Sequence, residues 1–123
     1  MAGRSESPAL LEAGWTLEGT DGAGEPVRLV FGETELQSAY LGITLGRHPA
    51  LADRLIADPT VSARHCRIGL AEGRPFIEDL NSLNGTVLGD ENALVPPFQP
   101  VPLADGETVI LGRVRLRLLR QEG

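Results

Sequence analysis

The sequence contains no lysine and only one cysteine among its 123 residues. A single thiol cannot form an internal disulfide, and Cys66 has no second cysteine with which to build a thiolate metal site. We therefore expect Cys66 to be a small buried hydrophobic residue in a protein of a reducing compartment. Because all eleven basic residues are arginine, the composition is typical of a GC-rich, bacterial genome.

Long apolar segments are also absent. No run approaches the roughly 20 residues that span a bilayer, and the first eight residues lack the apolar stretch of a secretory signal. We therefore expect a cytoplasmic protein with no membrane partner. Residues 1–13 carry small and polar residues without the pattern of a packed element, which predicts a flexible tail. Ser5 and Ser7 in this tail could be modified, but an unstructured end is the favoured reading.

Positive charge is in deficit, because the formal net charge is -6. Net repulsion argues against nucleic acid as the main partner. It does not exclude a phosphorylated peptide, because charges more than about 8 Å away are largely screened at physiological ionic strength. A charge-assisted hydrogen bond contributes roughly 1.5 to 3 kcal/mol, so local donors outweigh the sign of the whole chain.

From Gly14 onward, short apolar runs alternate with turn signals about every 8 to 12 residues, which predicts an all-β sandwich. The length supports one domain, placed at residues 14–120. There is no long helical period. The predicted strands lie near residues 14–19, 27–31, 41–45, 55–57, 64–70, 75–80, 86–88, 93–95, 107–111 and 113–119.

Three segments are less regular. Residues 32–40 are longer than a tight turn, and residues 49–54 are compatible with one helical turn. Residues 100–102 contain two prolines and predict an extended connection outside any central strand. The final strand alternates strictly, so its apolar residues should face the core and its arginines solvent. An anion-binding stripe is the alternative role for these arginines, which are Arg113, Arg115 and Arg117.

Three polar motifs lie at the starts or ends of predicted strands in the middle of the chain: Gly46-Arg47, then Ser62-Ala63-Arg64-His65, then the segment from Asp79 to Thr86. In order and spacing they resemble the forkhead-associated (FHA) domain family, over roughly residues 15–119. The resemblance implies a β-sandwich of about eleven strands in two packed sheets. It also implies a phosphothreonine-peptide binding module, with no enzymatic activity, cofactor or metal. The expected partner is a phosphothreonine-containing protein that is a Ser/Thr kinase or a substrate of one.

Arg47 and Ser62 are the candidate phosphate contacts. The planar guanidinium of Arg47 matches phosphate oxygens with two parallel hydrogen bonds, although an ordinary surface arginine would look the same in the sequence. The Ser62 hydroxyl can donate to a phosphate oxygen, or it can simply cap its own turn. The resemblance implies that Ser62 binds phosphate.

His65 lies at a loop junction. Alternation along residues 64–70 places it on the face opposite Cys66, outside the apolar stripe. A nucleophile–base–acid set of Ser62, His65 and Asp79 is one possible reading. However, no Gly-x-Ser-x-Gly elbow surrounds the serine. The resemblance implies instead that His65 bonds nearby backbone and supports the site.

Asn84 and Gly85 form a turn signal, because glycine permits the positive φ that such turns need. A plain hairpin turn explains the pair, whereas the resemblance implies that Asn84 binds the main chain of the phosphopeptide. The remaining motif residues are expected to support the site. They are Gly46, Asp79, Ser82 and Thr86.

Two positions depart from the family pattern. Many members have a polar residue where this chain has Leu83, and some have one where it has Ala63. The pocket therefore loses auxiliary donors, and we expect modest affinity. The alternative function is phosphate-independent protein docking or oligomerisation.

Overall fold

The structure is a computed structural model that describes residues 12–89 and 92–122. The predictions for the flexible tail and for modification of Ser5 and Ser7 therefore lie mostly or wholly outside the described residues. Eleven strands and one short helix are present in the described part of the chain. They are β1 (Gly14–Thr20), β2 (Pro26–Gly32), α1 (Glu33–Ser38), β3 (Ile43–Gly46), β4 (Arg54–Leu55), β5 (Cys66–Ala71), β6 (Arg74–Asp79), β7 (Thr86–Leu88), β8 (Ala93–Leu94), β9 (Val101–Pro102), β10 (Thr108–Leu111) and β11 (Val114–Gln121).

These strands form two sheets. The first has the order β2-β1-β11-β10-β7-β8 and the second the order β4-β3-β5-β6-β9. All assigned strand pairs are antiparallel except β3 with β4. The first and last strands of the fold pair over seven residues, from Gly14 opposite Gln121 to Thr20 opposite Arg115. The predicted β-sandwich is therefore confirmed.

The core lies between the two sheets and is built from alternate residues of the strands. In β11, Val114, Leu116 and Leu118 are buried, and the arginines between them are exposed, as the alternation predicts. Cys66 is fully buried, as expected, and burial raises the pKa of its thiol. Fully buried members from both sheets include Leu17, Phe31, Leu45, Ile68, Ile77, Val109 and Leu111.

Two elements lie outside the predicted strands. Residues 33–38 form α1, which packs one buried side chain, Leu36, onto the core. Residues 101–102 form β9, which pairs with β6 at the edge of the second sheet. An edge position tolerates Pro102 because the missing N–H need not join a ladder. Residues 49–54 contain one turn, in which the N–H groups of Leu51 and Ala52 both donate to the carbonyl of His48.

The strand directions bring the three polar motifs to one end of the second sheet. Leu45, near the end of β3, lies opposite Cys66 at the start of β5. Cys66 in turn lies opposite Asp79 at the end of β6. Since neighbouring strands run antiparallel, the segments that leave β3, enter β5 and leave β6 must meet at this end of the sheet.

Candidate functional site

Gly46 and Arg47 form the first wall of the site. The backbone N–H of Arg47 donates to the carbonyl of Ser62 at 3.0 Å. A side chain could not replace Gly46, because a Cβ there would lie 2.1 Å from the carbonyl oxygen of Ala63. The glycine therefore lets the two loops touch through their backbones.

The Arg47 side chain is exposed, and one of its N–H groups is anchored. Nε donates to the carbonyl of Val61 at 2.9 Å. This bond fixes the plane of the guanidinium and leaves its terminal nitrogens as the part that can bind an anion.

Ser62 joins the second motif to the third. Its Oγ accepts a hydrogen bond from the backbone N–H of Leu83 at 2.9 Å. A hydroxyl that accepts through its oxygen still carries a proton to donate. Ser62 is thus oriented by the backbone of the neighbouring loop, and its O–H group remains available to a ligand.

Asn84 reaches back to the same loop as Ser62. Its Nδ2 donates to the carbonyl of Thr60 at 2.8 Å, and the residue is exposed. The amide carbonyl and the second N–H remain as a donor–acceptor pair that matches a peptide backbone. The predicted phosphopeptide-binding residues, Arg47, Ser62 and Asn84, therefore lie on three segments that hydrogen bonds hold together.

His65 is completely buried, whereas alternation placed it outside the apolar stripe. That placement is wrong because β5 begins only at Cys66, so His65 belongs to the loop and its ring lies beneath the site. Nδ1 accepts from the N–H of Ser62 at 3.1 Å, and Nε2 bonds the carbonyl of Gly85 at 2.9 Å. A carbonyl only accepts, so Nε2 carries the proton in this arrangement.

Burial lowers the pKa of His65, against the smaller opposing effects of the Gly85 carbonyl and the Asp79 carboxylate. The neutral ring satisfies both of its backbone partners. A protonated ring would point an Nδ1–H at the N–H of Ser62, so the geometry also favours the neutral form.

Asp79 organises the third motif from below. Its Oδ1 accepts from the hydroxyls of Ser82 and Thr86, each at 2.6 Å, and its Oδ2 accepts from the N–H of Ser82 at 3.0 Å. The Ser82 hydroxyl oxygen also accepts from the N–H of Gly85 at 3.0 Å. These four residues form one polar network under the loop that carries Asn84.

Gly85 adopts φ +87°, the left-handed conformation that its turn signal predicted. The turn is not a hairpin, however. It carries the chain from β6 in the second sheet to β7 in the first. The Asn-Gly pair thus sits where the chain crosses between the sheets.

The three residues considered as a nucleophile–base–acid set do not assemble. Both ring nitrogens of His65 bond backbone groups, and the Ser62 hydroxyl bonds the N–H of Leu83. The Asp79 carboxylate bonds Ser82 and Thr86 rather than the imidazole. Within the described residues there is also no cluster of three or more side chains suited to a metal ion.

Sequence reasoning missed Asp58 and Thr60, which brace the loop before Ser62. Asp58 accepts from the N–H and the hydroxyl of Thr60 and from the N–H of Gly22. The Thr60 hydroxyl bond is the largest influence that lowers the pKa of Asp58, against the opposing effect of burial. Thr60 also accepts from the N–H of Arg113 at 2.8 Å. The available signal was Asp-Pro-Thr, since an Asp side chain often bonds the backbone two residues onward.

Leu83 is 89% exposed, so the position that departs from the family pattern contributes its backbone to the site and its side chain to solvent. Beside it lies a groove of about 260 Å³ that runs along the third motif to β8. It is lined by Asp79, Ser82, Leu83, Asn84, Gly85, Leu94, Val95 and Pro97.

Comparison with known proteins agrees with this geometry. The family described as FHA domain matches residues 43–112. The glycogen accumulation regulator GarA of Mycolicibacterium smegmatis is 39% identical over 74 residues, which cover 60% of this chain and 43% of GarA. The oxoglutarate dehydrogenase inhibitor of Corynebacterium efficiens is 37% identical over 76 residues, which cover 62% of this chain and 49% of the inhibitor. The chain thus matches less than half the length of these curated relatives.

One solved structure, from an analysis of phosphothreonine-dependent FHA domain interactions, superposes with a TM-score of 0.60 at 31% identity. The alignment covers 86% of this chain and 95% of that one. The similarity therefore extends over most of the two-sheet fold as well as over the motifs.

Proposed function

Because the chain belongs to the FHA domain family, we propose that it is a phosphothreonine-peptide binding module that mediates phosphorylation-dependent protein–protein interaction in Ser/Thr kinase signalling. One observation carries the proposal. Arg47, Ser62 and Asn84 are each anchored by a single hydrogen bond that leaves further donors for a ligand. A phosphothreonine peptide fits those donors through its phosphate group and the main chain next to it.

In this proposal each residue has a distinct role. The terminal nitrogens of Arg47 bind two phosphate oxygens, and Ser62 donates its hydroxyl to a third. Asn84 holds the peptide backbone beside the phosphothreonine through its amide. Gly46, His65, Asp79, Ser82, Gly85 and Thr86 support these contacts.

The negative net charge does not oppose this function. Exposed Arg47 and Arg64 lie in the segments that form the site, and screening removes most of the influence of charges farther than about 8 Å away. The phosphate therefore experiences chiefly its local donors. Each charge-assisted bond is roughly twice as strong as a neutral one.

The role of the whole protein is part of the same proposal. GarA and the oxoglutarate dehydrogenase inhibitor are a regulator and an inhibitor by name. We propose that this chain likewise acts on partner proteins, without catalysing a reaction itself and without a cofactor. We place it in the cytoplasm, where the lone buried Cys66 would stay reduced. Among the described residues, no helix has the length and apolar character to cross a bilayer.

A second candidate function is phosphate-independent docking. The observation that favours it is the exposed side chain of Leu83, an apolar group beside the site. Such a group provides no hydrogen bond to a dianion and hinders water from solvating it. Under this alternative, the same loops would bind an unphosphorylated apolar segment.

An oriented phosphothreonine peptide library, screened beside the same library with unmodified threonine, separates the two functions. The phosphothreonine module should retain phosphorylated sequences and release them when Arg47 is replaced by alanine. Enrichment of unphosphorylated sequences, or of none, would favour docking. A serine-reactive acylating probe tests catalysis independently, and we expect no labelling of Ser62.

A further inference from the structure

The outer face of the six-stranded sheet carries a row of residues that leads to the proposed phosphopeptide site. Strand pairing places Arg115 opposite Ile110, Ile110 opposite Val87, and Val87 opposite Leu94. Residues directly opposite in neighbouring strands share a face. Leu94 is 65% exposed, and Val87 and Ile110 are half-buried. An apolar strip therefore runs across three strands and ends at an arginine.

The strip is continuous with the phosphopeptide site. Leu94 lines the groove of about 260 Å³ that Leu83 and Asn84 also line. Its side chain lies so close to the crossing turn that a Cβ on Gly85 would be 3.1 Å from it. A peptide bound through Asn84 would thus meet Leu94 directly.

The arginine at the far end, Arg115, has no charged residue opposite it in the described part of the protein. Of the ten described arginines, four pair with a glutamate, and these are Arg28, Arg54, Arg67 and Arg120. Arg115 and Arg117 form no ion pair with any described carboxylate, although the chain is acidic overall. Arg115 lies opposite Thr20 and Ile110, neither of which carries charge, whereas Arg117 lies opposite Glu18. This end of the face therefore complements carboxylates supplied by another molecule.

We infer that the phosphothreonine partner continues from the phosphate site across this strip, with apolar side chains against Leu94, Val87 and Ile110 and an acidic one at Arg115. The inference rests on the proposed function and adds a second contact surface to it. Leu94 and Arg115 are three strand spacings apart, about 14 Å, which about four or five extended residues span. The partner segment therefore contains both acidic and apolar residues and lies close in sequence to the phosphothreonine.

Phosphothreonine peptides with about ten randomised residues on either the N-terminal or the C-terminal side provide the test, since that length exceeds the span. The wild-type chain should enrich Asp or Glu together with Leu, Ile or Val in one extension. Arg115→Glu should lose the acidic preference and still retain phosphothreonine. Arg74→Glu, which makes the same charge change at an exposed arginine at the start of β6, should behave like wild type.

Titration of the best extended peptide and its truncated form completes the test. The extension should tighten binding about fivefold or more, from apolar burial and exposed ion pairs, and Arg115→Glu should remove that gain. The inference is overturned if the truncated peptide binds equally well, or if Arg115→Glu keeps the acidic preference. It is also overturned if light scattering shows a dimer that Arg115→Glu dissociates, because a second copy would then occupy the face. If no phosphopeptide of any length binds, the proposed function itself fails.

Discussion

The hydroxyl oxygen of Ser62 accepts the backbone N–H of Leu83 at 2.9 Å, across 21 positions in the chain. This bond depends on the backbone of residue 83 and not on its side chain. A leucine can therefore stand where many family members have a polar residue without releasing Ser62. The cost of the leucine is a missing donor to the ligand rather than a disordered loop.

Arg47 should supply the strongest phosphate contact, because its charge stays fixed at every physiological pH. Arg47→Ala should weaken phosphopeptide binding by roughly 1.5 to 3 kcal/mol, measured by calorimetry. The melting temperature should stay nearly unchanged, because the side chain is exposed. Arg74→Ala removes an exposed arginine outside the three motifs and should leave affinity unaltered. Equal affinity of the Arg47 variant and wild type would refute the assignment.

His65 should make stability depend on pH. Its folded-state pKa lies below the unfolded value of 6.5 because burial disfavours the charged ring. The unfolded chain therefore binds more protons, and stability rises with pH. The contribution is fully present above about pH 6.5 and is lost as pH falls below that value toward the folded-state pKa.

Thermal melts from pH 7.5 down to pH 5 check this expectation. His65→Ala should destabilise the fold by roughly 1 to 3 kcal/mol at pH 7.5, because the N–H of Ser62 and the carbonyl of Gly85 lose their partner. The variant should also lose less stability than the wild type as the pH falls. His48→Ala removes the exposed histidine and should lose stability with falling pH as the wild type does. A His65 variant that melts like wild type but loses all binding would make His65 a direct ligand contact.

Asp79 should be more important for stability than either of the hydroxyls, those of Ser82 and Thr86, that donate hydrogen bonds to it. In Asp79→Asn, one carboxylate oxygen becomes an NH₂ group that faces either the N–H of Ser82 or the two hydroxyls. We expect a loss of about 1 to 3 kcal/mol in denaturant unfolding. Thr86→Val removes one buried hydroxyl with little change in shape, and it should cost less. If Asp79→Asn unfolds at the wild-type midpoint, the network does not stabilise the loop.

Leu83→Thr should improve recognition of a short phosphopeptide, because it adds a hydroxyl donor beside the phosphate. One charge-assisted bond should tighten binding by about 1 kcal/mol or more, roughly five- to tenfold. Stability should hardly change, since the leucine is 89% exposed. The unphosphorylated peptide should gain nothing comparable. Equal gains for both peptides, or a loss for the phosphorylated one, would favour the docking function.

The strands with a clear alternating pattern could be predicted from the sequence, as β11 shows. The helix α1 could not, because its six residues bury one side chain and so carry no helical period. The edge strand β9 contains a proline and only two residues, so its pairing depends on β6 rather than on its own sequence. Local patterns fail where tertiary contacts decide the structure.

The candidate site was likewise only partly predictable from the sequence. The motifs identified which residues meet, because the end of β3, the start of β5 and the end of β6 lie side by side at one end of the second sheet. The burial of His65 was not predictable by alternation, since the residue lies in a loop and bonds Gly85, 20 positions away. The anchoring of Thr60 by Asp58, Asn84 and Arg113 likewise joins distant segments. Such long-range bonds leave no periodic signal in the sequence.

A single calorimetric comparison shows whether this site recognises phosphothreonine. The best library peptide should be titrated into the wild-type chain in three forms, with phosphothreonine, phosphoserine or unmodified threonine. We expect clear binding of the phosphothreonine form and weaker binding of phosphoserine, because the γ-methyl contributes about 0.8 kcal/mol. The unmodified form should not bind measurably. Equal affinity for the phosphorylated and unmodified peptides would show that the site does not recognise the phosphate.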